Sequence, residues 1–405
     1  MIDTNPQKIE AVLTRGVSEV LPNKNTLAKL MTEKKIRLYL GIDPTGAFLH
    51  LGHAVGLRKL QQFAKMGHQV ILLVGNGTVK IGDPTGRDES RPMLDEETIE
   101  KNFQDWKKQA SKVLDFNIIE IRRNGDWLDK LDYTAMIKLM AKTTVQQLLE
   151  RDMFQKRLEQ GLPIHGHEII YPLLQGYDSV VMDVDLEIGG TDQTFNMLMG
   201  RHLQQQYNNH EKWILSTPLI EGTDGRKMSK SFNNYVALTD EPRDMFGKLM
   251  SIKDELIIKY FEALTDEPTA EIEVMQKAMQ NGENPMILKK KLALMITADL
   301  HNDELAKDAA DFFSKTVQND EIPEESAFGT ITIKAIVKND GTPGKSVEMN
   351  PTLSSTELGR RIEQGAAKLL PDMKKIESRE EFLNLPDGTK VKLGKRDWYK
   401  IIVAK

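Results

Sequence analysis

Two short apolar runs that flank an amphipathic segment constrain the fold of this chain more than any other feature. Ile36–Gly41 and Gln69–Gly75 are apolar enough to be buried strands, and a helix of about 15 residues is predicted between them, from near Leu51 to Gly67. Two strands that are joined through a helix run parallel in one sheet, because a tight turn can join only antiparallel strands. The pattern therefore predicts an α/β fold with a parallel sheet and crossover helices.

The rest of the chain continues this pattern and then departs from it. A helix is predicted after Asp95, and Val180–Gly190 is predicted to be another buried strand that runs into a Gly-Gly turn before the next helix. From about Glu241 to Gln318 only charged helical patterns occur, and the acidic stretch Asn319–Gly329 indicates a linker before a small α+β unit. We therefore predict three domains, with the ranges 1–235, 236–326 and 327–405.

The composition excludes several chemistries and locations. The chain has no cysteine, which rules out disulfides, thiolate metal sites and thiol catalysis. The N-terminal segment is polar and no run of about 18 residues is apolar and uncharged, so we predict a cytoplasmic protein with neither a secretion signal nor a membrane span.

The net charge of −5 conceals an asymmetry. Residues 341–405 contain 13 Lys and Arg against 9 Asp and Glu, so this tail is positive on an acidic body. A positive tail indicates a local RNA contact, whereas a solvated lysine-rich surface explains the same charge about as well.

Two short motifs carry the chemistry. HLGH (His50–His53) stands where a predicted strand gives way to a helix, and a helix start favours phosphate, while Gly52 lets a flat base approach closely. KMSKS (Lys227–Ser231) follows the glycine-containing turn EGTDGR, and its two lysines can follow negative charge onto a leaving pyrophosphate. Each pattern alone also fits an ordinary structural role. Together, and in this order, they indicate a nucleotide-dependent reaction.

The sequence resembles the class I aminoacyl-tRNA synthetases, whose signature is this pair of motifs. Within that class it resembles the tyrosyl-tRNA synthetases of the bacterial type, which have an E-x-GGTDQ-x-FN motif. The blocks that carry the resemblance are YLGIDPTGAFLHLGH (Tyr39–His53), IGDPTGRDESR (Ile81–Arg91), NGDWL (Asn124–Leu128), YPLLQGYD (Tyr171–Asp178), GGTDQ (Gly189–Gln193) and DGRKMSKS (Asp224–Ser231).

The resemblance implies a fold, a reaction and partners. The expected domains are a Rossmann-like catalytic domain with an inserted helical dimerisation region, a helical domain on the anticodon side of the tRNA, and a small C-terminal α+β domain of the S-four-like RNA-binding type. The expected reaction joins L-tyrosine to ATP, releases pyrophosphate and transfers tyrosine to the 3′-terminal adenosine of tyrosine tRNA. Mg²⁺ is expected with ATP, a second copy of the chain as a homodimer partner, and no metal held by the protein.

Carried over residue by residue, the resemblance also implies a site. The tyrosine phenol is assigned to Tyr39 and Asp178, the α-ammonium to Asp83, Tyr171 and Gln175, and the carboxyl region to Gln193. The residues assigned to ATP are Asp43, Gly52, Gly190, Asp192, Met228 and Ser231. The groups assigned to catalysis are Thr45, His50, His53, Arg87, Arg91, Lys227 and Lys230. A buried phenol needs a donor and an acceptor, and phenylalanine would leave Tyr39 and Asp178 both unpaired.

Two positions depart from the family pattern. Arg87 stands where many relatives have lysine, which keeps the charge but changes the hydrogen-bonding fork. Glu187 stands where one branch of the family has glutamine, so the contact that Glu187 makes with the substrate stays open.

The tail has a resemblance of its own. Residues 354–369 and 389–403 resemble the S-four-like RNA-binding module, and three basic residues along one helix and its end are implied to bind tRNA: Arg360, Arg361 and Lys368. A spacer domain whose basic residues are merely solvated is the alternative.

Two rival functions remain at this stage. A synthetase for tryptophan has a similar fold and similar signature motifs, and the pair formed by Tyr39 and Asp178 argues against it. An RNA-binding paralogue with a degenerate site is the other rival, and the intact HLGH and KMSKS motifs argue against that.

Overall fold

The structure is a computed structural model that describes residues 1–46, 48–85, 94–229, 232–319, 321–324, 327–337, 343–350, 355–394 and 397–404. These residues form two compact units. The first unit comprises Met1–Asp240 and Lys248–His301, and the second comprises Glu241–Gly247 and Asn302–Lys405. The predicted domain boundaries after residues 235 and 326 stay predictions.

The first unit contains a largely parallel sheet. Its strands are β1 (Glu19–Leu21), β2 (Arg37–Ile42), β3 (Gln69–Val74), β4 (Ile119–Arg123), β5 (Leu186–Gly190) and β6 (Trp213–Thr217). Their order is β1-β6-β5-β2-β3-β4, with β2 to β6 parallel to their neighbours and β1 antiparallel to β6. This architecture confirms the predicted α/β fold. Buried side chains of β2 and β3, such as Tyr39, Ile71 and Leu73, pack together in its core.

Helices cover this sheet and continue beyond it. Those that begin before residue 240 are α1 (Pro6–Thr14), α2 (Lys24–Glu33), α3 (Leu51–Lys65), α4 (Glu96–Ala110), α5 (Gly125–Leu128), α6 (Tyr133–Met140), α7 (Val145–Leu149), α8 (Asp152–Glu159), α9 (Gly166–Met182) and α10 (Thr194–Asn208). Those that follow are α11 (Pro242–Met250), α12 (Ile257–Leu264), α13 (Thr269–Gln280), α14 (Pro285–Leu300) and α15 (Asp303–Phe313).

The strand–helix–strand prediction is confirmed to within about two residues, the usual uncertainty of element ends. The helix α3 begins at Leu51, as predicted, and the chain turns at Gly67, whose φ of 85° favours glycine. A Cβ atom at Gly67 would also lie 2.6 Å from the carbonyl oxygen of Met1. The glycine is therefore required both by the backbone angle and by the close approach of another segment.

The predicted strand from Val180 to Gly190 is wrong in its first part. Val180 to Met182 are the last turn of α9, and β5 begins only at Leu186. The helix ends at Asp183, which adopts a left-handed conformation with a φ of 48°. An apolar run that ends a buried helix and an apolar run that begins a buried strand look alike in sequence, and packing against the neighbouring helix α10 decides between them.

The second unit has its own sheet and core. Its strands are β7 (Gly329–Val337), β8 (Pro343–Asn350), β9 (Ala367–Leu369), β10 (Lys374–Lys375), β11 (Lys390–Leu393) and β12 (Asp397–Val403), in the order β10-β9-β11-β12-β7-β8. The helices α16 (Ser355–Glu363) and α17 (Arg379–Leu383) contribute Leu358, Ile362 and Phe382 to a core that also contains buried side chains of the sheet. Among the helices that the structure describes, none combines the length and apolar character needed to cross a membrane.

Candidate active site

A cavity of about 360 Å³ opens in the first unit at the carboxyl ends of β2, β3, β5 and β6. Open parallel sheets bind ligands at this edge, because the loops and helix starts that follow the strands converge there. The predicted site residues that line the cavity are Tyr39, Asp43, Thr45, His50, Gly52, His53, Asp83, Tyr171, Gln175, Asp178, Gly190, Asp192, Gln193, Lys227 and Met228.

The remaining predicted site residues fall elsewhere. Arg87, Arg91, Lys230 and Ser231 lie outside the residues that the structure describes. Arg360 and Arg361 lie on α16 of the second unit, whereas Lys368 lies on β9, so its predicted place at the end of that helix is wrong.

The two histidines of HLGH shape the start of α3. His50 is the N-cap residue, and its Nδ1 accepts a hydrogen bond from the amide of Gly52 at 3.2 Å. His53 Nδ1 accepts from the amide of His50, also at 3.2 Å, and the two rings lie 4.0 Å apart. A Cβ atom at Gly52 would lie 2.9 Å from the His50 ring, so a larger residue there would displace the ring that caps the helix. The motif thus presents a capped helix start, with its positive dipole end, at the edge of the cavity.

Tyr39 and Asp178 are both buried in the wall of the cavity. The Tyr39 hydroxyl lies 2.9 Å from Ser179 Oγ. Asp178 Oδ1 accepts from Trp127 Nε1 at 2.8 Å, and Asp178 Oδ2 accepts from Asn124 Nδ2 at 3.1 Å. Burial raises the pKa of Asp178, and the two donors oppose this by stabilising the carboxylate. A carboxylate that accepts from two donors still has lone pairs that can accept a hydrogen bond from a phenol.

Tyr171 and Gln175 are held by acidic partners within the cavity. The Tyr171 hydroxyl donates to Asp43 Oδ2 at 2.8 Å, and Asp43 Oδ1 accepts from Thr78 Oγ1 at 2.7 Å. Gln175 Nε2 donates to Glu187 Oε1 at 3.0 Å. Because Tyr171 donates its one proton and the Gln175 amide nitrogen faces Glu187, the Tyr171 hydroxyl oxygen and the Gln175 amide oxygen remain as acceptors.

Asp83 lies in a small polar network of its own. Its Oδ1 accepts from the backbone amide and the hydroxyl of Thr85, and its Oδ2 accepts from Gln193 Nε2 at 2.8 Å. The guanidinium of Arg151, a residue that the sequence reading missed, lies 3.8 Å from Asp83. These contacts hold a negative oxygen atom at the cavity in a defined orientation.

The loop that carries Lys227 is organised by an asparagine that the sequence reading also missed. Asn234 Nδ2 donates to Asp224 Oδ1 at 2.7 Å and to the backbone oxygen of Lys227 at 3.1 Å, while its Oδ1 accepts from the amide of Ser229 at 2.9 Å. The Lys227 ammonium lies 3.2 Å from Asp192 Oδ2, so a cation is held at the rim of the cavity. The sequence offered one signal for this role, an amide side chain a few residues after KMSKS.

The NGDWL block contains two further residues whose roles sequence reasoning did not assign. Asn124 accepts from the amide of Gly77 at 2.8 Å and donates to Thr78 and to Asp178, so it joins the loop after β3 to Asp178 in the cavity wall. Trp127 supplies the indole donor to Asp178. The block itself was the signal, because polar and aromatic residues in one short motif can support a neighbouring site.

Comparison with known proteins identifies the family of the chain. The family described as tRNA synthetases class I (W and Y) matches residues 31–318. A tyrosine–tRNA ligase of Thermotoga maritima is 43% identical over 399 residues, which cover 98% of each chain. A tyrosine–tRNA ligase of Dehalococcoides mccartyi is 40% identical over 403 residues, which cover 99% of this chain and 100% of the relative. The chain belongs to the tyrosine–tRNA ligase family.

Solved structures of tyrosyl-tRNA synthetases share the fold. A truncated mitochondrial enzyme of Aspergillus nidulans superposes with a TM-score of 0.64 at 20% identity and covers 75% of this chain and 92% of its own. The enzyme of Archaeoglobus fulgidus, solved with L-tyrosine, superposes with a TM-score of 0.60 at 22% identity and covers 76% of this chain and all of its own. Membership of the tyrosine–tRNA ligases decides against the rival reading as a tryptophan enzyme.

Proposed function

We propose that the chain activates L-tyrosine with ATP at this cavity and then transfers the tyrosyl group to the 3′-terminal adenosine of tyrosine tRNA. The observation that carries the proposal is the buried pair formed by Tyr39 and Asp178 in a cavity that also contains the start of α3 and the Lys227 ammonium. The pair matches a phenol, and the helix start and the cation match phosphates.

The α-ammonium of tyrosine would bind to oxygen atoms of Asp83, Tyr171 and Gln175. An ammonium has three N–H donors, and these side chains offer three acceptors, of which the carboxylate of Asp83 carries the opposite charge. The one Tyr171 proton is donated to Asp43, and the Gln175 amide nitrogen faces Glu187, which leaves the Tyr171 hydroxyl oxygen and the Gln175 amide oxygen to accept.

The first chemical step needs no covalent group from the protein. The tyrosine carboxylate attacks the α-phosphate of ATP, the bond to the pyrophosphate breaks, and negative charge increases on the leaving group. Thr45, His50 and Lys227 line the cavity and are proposed to stabilise that charge, together with Lys230 of KMSKS and with Arg87 and Arg91 of the IGDPTGRDESR block.

Mg²⁺ is proposed to enter with ATP. Within the described residues no group of three or more acidic or histidine side chains is close enough to hold a metal ion. The ion would therefore be held mainly by the phosphate oxygens, as is common for Mg²⁺ at nucleotide sites.

Pyrophosphate exchange into ATP, measured separately with each amino acid, tests the proposed reaction. We expect exchange with tyrosine and little with phenylalanine or tryptophan, because neither competitor pairs with both Tyr39 and Asp178. Exchange that depends on tryptophan, or no exchange with any amino acid, would contradict the proposal.

The second unit is proposed to bind tRNA, with the helices of 236–326 on the anticodon side. On adjacent strands β10, β9 and β11, Lys375, Lys368 and Lys392 lie directly opposite one another, so they share one face of the sheet. Lys375 is exposed and Lys368 partly exposed there, whereas Lys392 is buried against Trp398. Like charges opposite one another destabilise a sheet, and a bound phosphate backbone would relieve this repulsion. Arg360 and Arg361 lie on α16, where both guanidinium groups bond to Glu357.

Removing two charges from this lysine row should weaken tRNA charging without affecting tyrosine activation. For the double variant Lys368→Gln/Lys375→Gln we expect kcat/KM for tRNA to fall by about tenfold, because two phosphate contacts are lost. Tyrosine-dependent pyrophosphate exchange should stay at the parent rate.

The matched control removes the same charge from the side of the sheet that the helices cover. Lys345 bonds to the backbone of Leu383 in α17, and Arg379 begins that helix. The variant Lys345→Gln/Arg379→Gln should charge tRNA within about twofold of the parent, since few phosphates would reach that side. Charging at the parent rate by Lys368→Gln/Lys375→Gln would favour the spacer alternative, and equal loss in both double variants would contradict a specific role of this face.

A homodimer in the cytoplasm is also proposed. Tyr133, Ile137 and Met140 form an exposed apolar stripe along α6, at the i, i+4 and i+7 spacing of one helix face, and the exposed fraction of Tyr133 is 82%. Val145 at the start of α7 extends the exposed apolar surface. A second copy of the chain would bury this surface in a symmetric contact, and the absence of cysteine suits a reducing compartment.

A further inference from the structure

A buried ammonium lies beneath the tyrosine pocket and has no part in the reaction proposed above. Lys212 precedes β6, and its exposed fraction is 0%. Its Nζ donates to Ser179 Oγ at 2.7 Å, to the backbone oxygen of Met197 at 3.2 Å and to the carboxylate of Glu187. Three acceptors around one nitrogen need three N–H donors, which only the charged form of lysine has.

The surrounding chain is built to admit this ammonium. A Cβ atom at Gly200 would lie 2.4 Å from Lys212 Nζ and 2.7 Å from Ser179 Oγ, so any other residue at this position would displace the group. Burial lowers the pKa of Lys212, and the adjacent Glu187 carboxylate opposes that effect. In some proteins a charge buried at such cost defines one arrangement of its neighbours.

The bond from Lys212 determines what Ser179 can do with its own proton. A hydroxyl has one proton to donate, and Ser179 already accepts a hydrogen bond from the ammonium. The other partner of Ser179 Oγ among the described residues is the Tyr39 hydroxyl, at 2.9 Å. If Tyr39 donated to Ser179, the serine proton would be left without an acceptor inside the protein. Ser179 therefore donates, and the ammonium strengthens that donation by polarising the hydroxyl.

We propose that Lys212, acting through Ser179, is a positioning residue that makes Tyr39 the donor to the phenol oxygen of tyrosine. Tyr39 then accepts from Ser179 and keeps its own proton to donate, for which the phenol oxygen of a bound tyrosine competes with the Glu187 carboxylate. Burial, with the carboxylates of Glu187 and Asp178 nearby, raises the pKa of Tyr39 well above its ordinary value, so the proton is retained. At the other side of the pocket, Asp178 accepts a hydrogen bond from the phenol hydroxyl of the substrate.

This arrangement has a consequence for selectivity, which rests on the proposed function. Phenylalanine would leave both the Tyr39 donor and the Asp178 acceptor unpaired in a buried site. Without the bond from Ser179, the Tyr39 proton can turn away from the pocket, so tyrosine loses a fixed donor and phenylalanine is penalised less. Lys212 therefore controls the ratio of kcat/KM for tyrosine to kcat/KM for phenylalanine.

The full-length variant Ser179→Ala tests the inference, with kcat/KM measured for tyrosine and for phenylalanine by pyrophosphate exchange. We expect the tyrosine-to-phenylalanine ratio to fall by about five- to tenfold, mainly through a higher KM for tyrosine. The control Ser216→Ala removes a buried serine hydroxyl that bonds to the backbone oxygen of Glu19 and should keep the parent ratio.

A second variant does not depend on Ser179. In Lys212→Met/Glu187→Gln both charges of the buried pair are removed together, so neither is left unpaired, and the glutamine can still accept from Gln175. We expect the same fall in the ratio. Thermal melting of each variant identifies the folded ones, and the ratio is read from those.

Two outcomes distinguish this inference from the proposed function. If folded Ser179→Ala or the folded double variant keeps the parent ratio within about twofold, the relay from Lys212 is wrong while the ligase function stands. If the parent chain itself shows no tyrosine-dependent exchange, the proposed function is wrong.

Discussion

The variant Lys227→Ala is expected to form tyrosyl-adenylate about 100-fold more slowly than the parent, with nearly unchanged affinity for tyrosine. The Lys227 ammonium lies at the rim of the cavity, 3.2 Å from Asp192, on the loop that Asn234 organises. In the ground state it contacts neither end of the proposed tyrosine pocket. As the bond to the pyrophosphate breaks, the charge to be stabilised grows beside this cation, so its removal affects the transition state most.

Single-turnover adenylate formation and tyrosine binding, measured separately, check this expectation. Lys259 offers a matched control in the same unit: its ammonium lies 2.8 Å from Glu221, and its side chain is exposed to 57% against 59% for Lys227. Lys259→Ala should change the rate by less than about twofold, as surface ion pairs contribute little. A loss of tyrosine affinity as large as the loss of rate would contradict the role assigned to Lys227.

The variant Asp178→Ala is expected to lower kcat/KM for tyrosine by at least about tenfold and to affect phenylalanine much less. Removing the carboxylate leaves the phenol proton of tyrosine buried without an acceptor, at a cost on the order of 1 to 3 kcal/mol, and more where the acceptor is charged. It also removes the partner of Asn124 and Trp127. Phenylalanine has no hydroxyl group, so it loses no hydrogen bond in this variant.

Asp185→Ala is the control for general damage from losing a buried carboxylate. Asp185 is also buried but bonds to Lys34 and to the backbone amide of Arg37, at the amino end of β2 and away from the cavity. That variant should be less stable and keep the parent ratio of tyrosine to phenylalanine activity. If Asp178→Ala keeps that ratio as well, then Asp178 does not bind the phenol.

Much of the fold could be predicted because it rests on local patterns. The apolar runs of β2 and β3 and the glycine at the end of α3 each have one physical interpretation over a short window. The end of α9 could not be read in this way, because Val180 to Met182 are apolar in either structure and only packing selects the helix. Residues at the cavity were predictable where a motif carried them.

The residues that support the site were less accessible to sequence reasoning. Arg151, Asn234 and Lys212 lie outside the signature motifs, and each acts on a residue that is distant in the chain or across a loop. Lys212 lies 33 positions from Ser179 and 25 from Glu187. From sequence alone, a lysine between a helix and a strand is expected to be solvated at the surface.

The sequence by itself determined the class of fold, the order of the motifs and the kinds of side chain available to the site, since these follow from periodicity and chemical type. Only the tertiary structure decided how those side chains pair. From sequence, Tyr39 and Asp178 form a donor and an acceptor for one phenol, whereas the folded chain bonds Tyr39 to Ser179 and holds Asp178 by Asn124 and Trp127. A hydrogen bond depends on distances of about 3 Å and on the direction of a single proton, and these arise only when elements remote in sequence pack together.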